Sequence, residues 1–256
     1  MSTSPQSFQV RLRKLTCLEK VSSWRRTEPY LWVVMFKIDG SCVQLSESFQ
    51  LEGEAEFFFS QGSQGNLGGD PMDKGESLPI PSTVGGWESA LSPISVPFFN
   101  YTIPGMLGVI AVLMEKKNVS MAGAEAGHKA LNERVRKAVN QALRGFDVKK
   151  IDVENIQDSI KQYFSDQVDG FIHEIEEAVT QAVMQSQNIL QNIWSFIDRD
   201  ELIGFHVWDV DQKELEQLKT PFHLHHIWET EKLGEWKIEG EIRLEAGTPI
   251  QMIDIE

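Results

Sequence analysis

Residues 8–18 alternate, with Phe8, Val10 and Leu12 on one side and Gln9, Arg11 and Arg13 on the other. That period of two predicts a strand with one buried face. Residues 30–38, YLWVVMFKI, are almost continuously apolar, as in a strand covered on both faces. Asp39-Gly40 follows as a turn pair, so the chain from Val43 onward reads as the second strand of a hairpin. Residues 107–114, LGVIAVLM, stop at Glu115-Lys116-Lys117 and read as a central strand. Near the C-terminus, residues 204–210, 222–229 and 236–244 alternate again.

Between these β regions the period changes. Ala124, His128, Leu131, Val135, Ala138, Val139 and Ala142 fall at helical spacing, predicting a helix over residues 121–143. Apolar steps of three and four then run from Val153 to Ile193, predicting a longer helix over residues 152–194 with Asp152 as its cap. A short connection at 145–150 makes the two an antiparallel hairpin. Residues 120–150 hold seven Lys or Arg against three acids, whereas 151–194 hold one Lys against eight acids, so the two helices are complementary in charge. Residues 60–97 are rich in Gly, Ser, Asp and Pro and read as one long loop.

The expected fold class is therefore α+β: an antiparallel β-sandwich with an inserted antiparallel two-helix hairpin. Residues 1–119 supply its first half with the long loop at 60–97. Residues 120–197 are the amphipathic insert, and residues 198–256 supply the completing strands. Neither half alone has enough strands to bury a core.

Composition narrows the function. The 256 residues are 41% hydrophobic and carry a net charge of −14, which repels nucleic-acid phosphate. No apolar stretch reaches the roughly 18–20 residues that span a bilayer as a helix, and the first residues lack the apolar core of a secretory signal. The expected location is cytoplasmic, or outside the cell by a non-classical route. Two cysteines, Cys17 and Cys42, read as reduced thiols. The Gly-rich run 62–69 lacks the Lys-Ser/Thr of a phosphate loop, so no nucleotide is expected.

Three constellations carry candidate chemistry. Asp198, Asp200, Asp209 and Asp211 form two Asp-x-Asp pairs, which are calcium ligands if their loops converge and turn or cap residues if they do not. Arg11, Arg13, Trp24, Arg25 and Arg26, with Lys14 and Lys20, form a basic cluster. It reads either as the polar face of a strand or as a contact patch for anionic lipid or a partner, with Trp24 as an interfacial aromatic. His223 and His225 share one face of a strand, near His206 and His226, and suit zinc only with a third ligand such as Glu229.

Two stretches carry a family resemblance. Thr27-Glu28-Pro29-Tyr30-Leu31-Trp32-Val33-Val34 resembles the D-P-Y-V-x-V strand of synaptotagmin-type lipid-binding β-sandwich domains. Asp198-Arg199-Asp200-Glu201-Leu202-Ile203-Gly204 and Val207-Trp208-Asp209-Val210-Asp211 look like the acidic calcium loop and the D-x-[IL]-G strand of the same domains. Glu28 stands where that family has Asp, and residues 22–26 lack an aspartate pair. The resemblance implies a sandwich that binds Ca2+ through loop aspartates and then engages anionic lipid.

The function expected is a non-enzymatic binding protein, acting on a membrane surface or a protein partner and tuned by calcium. Two alternatives stand beside it. One is a pore-forming, toxin-like protein that inserts its hairpin, and the other a metal-dependent hydrolase built on the histidine strand. The oligomeric state stays open.

Overall fold

The computed structural model describes residues 5–21, 27–46, 50–95, 102–117, 119–145, 202–218 and 220–245. They are mostly antiparallel β-sheet with three helical segments, an α+β chain. The predicted second helix at 152–194 lies outside the described residues.

The first sheet is built on β1 (Gln6–Glu19), flanked on one side by β13 (Gly234–Leu244), which in turn pairs β12 (Phe222–Thr230). The other side of β1 is shared by two short strands, β7 (Gly86–Leu91) along its first half and β6 (Ser77–Pro79) along its second. The second sheet has the order β11 (Leu202–Asp211), β10 (Met106–Glu115), β2 (Pro29–Ile38), β5 (Glu56–Phe59). Four further strands form two small ribbons: β3 (Val43–Leu45) pairs β4 (Leu51–Gly53), and β8 (Ile94–Ser95) pairs β9 (Thr102–Ile103). The helices are a single turn, α1 (Ser82–Gly85), the long α2 (Met121–Gly145) and the short α3 (Gln212–Gln217).

One core joins the two sheets. Phe8, Val10, Leu12 and Leu15 of β1, with Trp236 and Ile238 of β13, pack in one cluster with Leu31, Val33 and Met35 of β2 and Leu107, Val109 and Leu113 of β10. The alternate residues of the same two central strands, Tyr30, Trp32, Val34, Ile110, Val112 and Met114, form a second cluster with Ala124, Leu131, Val135, Val139 and Leu143 of α2. This explains the continuous apolar runs: β2 and β10 have a core on each face. Each fully buried aliphatic of α2 contributes roughly 1.5 to 3 kcal/mol, so packing rather than helix propensity holds α2 in place. Its start is set by Ser120, whose Oγ accepts from the Gly123 backbone N–H at 3.1 Å.

Strands from both sides of the insert meet in both sheets. β10 pairs β11 from Met106 opposite Asp211 to Met114 opposite Leu202, and β1 pairs β13 from Phe8 opposite Leu244 to Glu19 opposite Glu235. Residues 116–201 thus leave and return between two neighbouring strands.

Two expectations are corrected. The strand after Asp39-Gly40 does not pair back on β2; β2 pairs β10 and β5, and β3 pairs β4. The reason is Asp39, whose fully buried carboxylate accepts from the Ser41 backbone and hydroxyl and from Ser92 N–H, bending the chain away from the sheet. Residues 60–97 are not one loop, since they contain β6, β7 and α1. The strand signal of Gly86–Leu91 is masked by flanking Gly and Pro, yet Trp87 packs edge-on against Phe8 at 5.2 Å and Leu91 is fully buried.

Gly108 on β10 leaves room for the Phe36 ring; a Cβ there would sit 2.3 Å from Phe36 Cζ. Gly108→Ala is expected to lower stability by about 1–3 kcal/mol through overpacking, read as a drop in the urea midpoint at unchanged slope.

Candidate functional site

The described part of the basic cluster lies on the first sheet opposite acids. Arg11 bonds Glu88 at 3.1 Å, and Arg13 and Arg243 both reach Glu241 at 2.5 Å. Lys14 and Lys237 converge on Glu239 at 2.9 and 3.1 Å, and Lys20 meets Asp73 at 3.0 Å. Hydrogen bonding from Lys14 lowers the Glu239 carboxyl against its burial, with Lys237 adding to it. Burial opposes charge on Glu241, yet bonds from Arg243 and Arg13 hold it below the usual carboxylate range. The face is a lattice of alternating charge rather than a positive field. Trp24, Arg25 and Arg26 lie outside the described residues.

The acidic pairs separate in a similar way. Asp198 and Asp200 lie outside the described residues. Asp209 is exposed within β11, opposite Gly108. Asp211 ends β11 and caps α3, its carboxylate accepting from the Glu214 backbone N–H at 2.7 Å. Among the described residues no group of three His, Cys, Asp or Glu is placed to hold a metal ion.

His223 and His225 are exposed on β12, whereas the other two histidines of this group turn inward. The His226 ring stacks on His206 of β11 with centroids 3.7 Å apart and planes 11° apart. Trp208 stands edge-on to His206 at 4.5 Å, and Trp228 edge-on to His226 at 5.3 Å. Period two contained this signal, because Leu224, His226 and Trp228 must share a face, opposite to that of His223 and His225.

Two further polar joints were not legible in the sequence. His128 of α2 is 7% exposed, lies parallel to the Trp32 ring at 5.5 Å and shares a 3.3 Å hydrogen bond with Ser60 Oγ. Trp32 Nε1 donates to Ser63 Oγ at 3.0 Å, and Ser60 Oγ accepts from Val33 N–H at 2.9 Å. Burial pushes the imidazole down to about 4, against a hydrogen bond to the Gly62 backbone. The pair has the reach of a nucleophile and base, but it is sealed beneath α2 and its polar atoms serve to seat the helix.

The second joint is the buried Lys37 ammonium. It donates to Ala90 C=O at 2.8 Å and Ser41 Oγ at 3.1 Å, and pairs with Glu56 at 3.1 Å and Asp39 at 3.5 Å. It ties β2, β5 and the end of β7 together. The thiols are not activated: burial pushes Cys17 up to about 11 and raises Cys42. An open groove of about 470 Å³ is lined by Asp70, Pro71, Met72, Glu76, Ser77 and Leu78.

No family model, no curated protein and no solved structure matches the chain.

Two outcomes follow from these joints. Asp211→Ala is expected to cost about 1 kcal/mol of stability by uncapping α3, measured by urea unfolding with calcium and with chelator. His128 prefers its neutral form in the fold, so its contribution is undiminished above the ordinary value of 6.5 and is lost as pH falls toward about 4. Wild type should therefore lose on the order of 2–3 kcal/mol more than His128→Phe over that interval, read from paired urea midpoints.

Proposed function

We propose that the protein is a non-enzymatic binding protein: a two-layer β-sandwich that presents an inserted helical hairpin to a protein partner. The observation that carries this reading is the position of the insert. Residues 116–201 leave from β10 and return on β11, which pair in continuous register with only one irregularity, between Leu113 and Met114. Both ends of the insert are thus fixed on neighbouring strands, and α2 is held further by its packing on the second core.

The polar groups support the same reading. Ser60 and His128 seat α2, Lys37 and Asp39 tie turns together, and Asp211 caps a helix. Arg11 and Arg13 are matched by Glu88 and Glu241. With the described cations of the basic cluster matched by acids and a net charge of −14, an anionic membrane is a poorer ligand than a protein surface. Glu125, Lys129, Glu133 and Lys137 of α2 are exposed, a mixed-charge surface of the kind that gives specificity in protein recognition.

A photo-crosslinking side chain placed in the full chain at Glu133 or Gln141, both exposed on α2, should give a discrete adduct in the native cell extract. The same group at Lys14, exposed on β1, should give none. Equal adducts from both faces, or co-sedimentation of the chain with phosphatidylserine vesicles at physiological salt, would refute the reading.

A further inference from the structure

Strands β11 and β12 are edge strands of different sheets and share no hydrogen-bond ladder. Aromatic side chains bring them together. His206 stacks on His226 at 3.7 Å, Trp208 and Trp228 close on the two imidazoles edge-on, and Gly204 lets the Trp228 ring approach β11 so closely that a Cβ would lie 2.3 Å from its Cδ1. The ladder partners of the two histidines are Ala111 on β10 and Ile238 on β13, both apolar and buried. Trp228 Nε1, in the same seam, is buried without a hydrogen-bond acceptor among the described residues.

We propose that this seam is an acid-operated latch: proton uptake by His206 and His226 breaks their stack and parts β11 from β12, loosening the strand on which the insert returns. Two neutral imidazoles tolerate this stack, whereas two imidazolium ions at 3.7 Å repel each other.

The charged neighbours do not relieve that repulsion. On β11, Asp209 is exposed and Asp211 is turned to the α3 cap. On β12, His223, His225 and Glu229 are exposed. On β13, Lys237, Glu239 and Glu241 belong to the ion-pair lattice with Lys14, Arg13 and Arg243. On β10, Glu115 lies beside Lys117 at the strand's far end. Burial pushes His206 down to about 4, with His226 adding to it, and also lowers His226, with His225 adding to it. The closed seam is therefore unpenalised above the ordinary value of 6.5 and increasingly penalised as pH falls toward 4. The latch is a property of the two sheets and holds whatever the insert binds.

Hydrogen exchange on the full chain, corrected for intrinsic rate, tests it. Between pH 7 and pH 5 the amides of β11 and β12 should lose protection by roughly tenfold or more while those of β1 and β2 keep theirs. The double variant His206→Phe with His226→Phe keeps two stacked rings without a titrating group, and its β11 and β12 amides should stay protected at pH 5. Flat protection in the wild type, or equal loss in the double variant, overturns the latch. If the double variant does not fold, the imidazole NMR titrations of the wild type decide. Titration of both rings below the ordinary range, in step with the exchange, supports the latch; titration at the ordinary value without exchange overturns it.

Discussion

Strands β2 and β10 are buried on both faces, and the remaining elements answer to that constraint. Leu31, Val33 and Met35 face one core while Tyr30, Trp32 and Val34 face another. A pair of strands this apolar is soluble only if a layer covers each side. β1 and β13 supply one cover and α2 supplies the other. The insert is thus not an ornament at its near end, since its first helix forms one wall of the second core.

Covering a strand pair twice leaves polar backbone and side chains inside, and several of them are satisfied where α2 meets the sheet. The Ala55 N–H finds Asn140 of α2 at 2.9 Å, and the Gln64 side chain reaches the Val119 carbonyl at 2.8 Å. Arg136 lies over the Phe57 and Phe59 rings at 5.9 and 5.0 Å, adding a cation–π contact where α2 crosses the edge strand β5. Lys37 and Asp39 are costlier, because a buried ion pair stabilises little while the loss of either partner strands a charge. Ser41, Ala90 and Ser92 supply the hydrogen bonds that satisfy the pair.

How much was legible varied with the physics of each signal. The long strands and α2 announced themselves by period, because burial on one or two faces writes itself into side-chain polarity. β6 and β7 did not, since each is short, broken by Gly and Pro, and held by pairing to a longer strand. The hairpin expected after Asp39-Gly40 failed because a turn pair signals reversal but not the partner. The charge lattice was half visible: Arg11 and Arg13 were read as one sign because Glu88 and Glu241 are distant in sequence and adjacent only across the sheet.

By itself the sequence determined what local periodicity and composition can encode: the identity of the main strands, the helix after residue 120, the double burial of β2, and a net charge of −14. Tertiary structure alone decided which groups meet. The His206 and His226 stack, the His128 seat against Trp32 and Ser60, and the Lys37 knot each join residues separated by other elements. Their geometry arises from the pairing of whole strands and not from any local pattern.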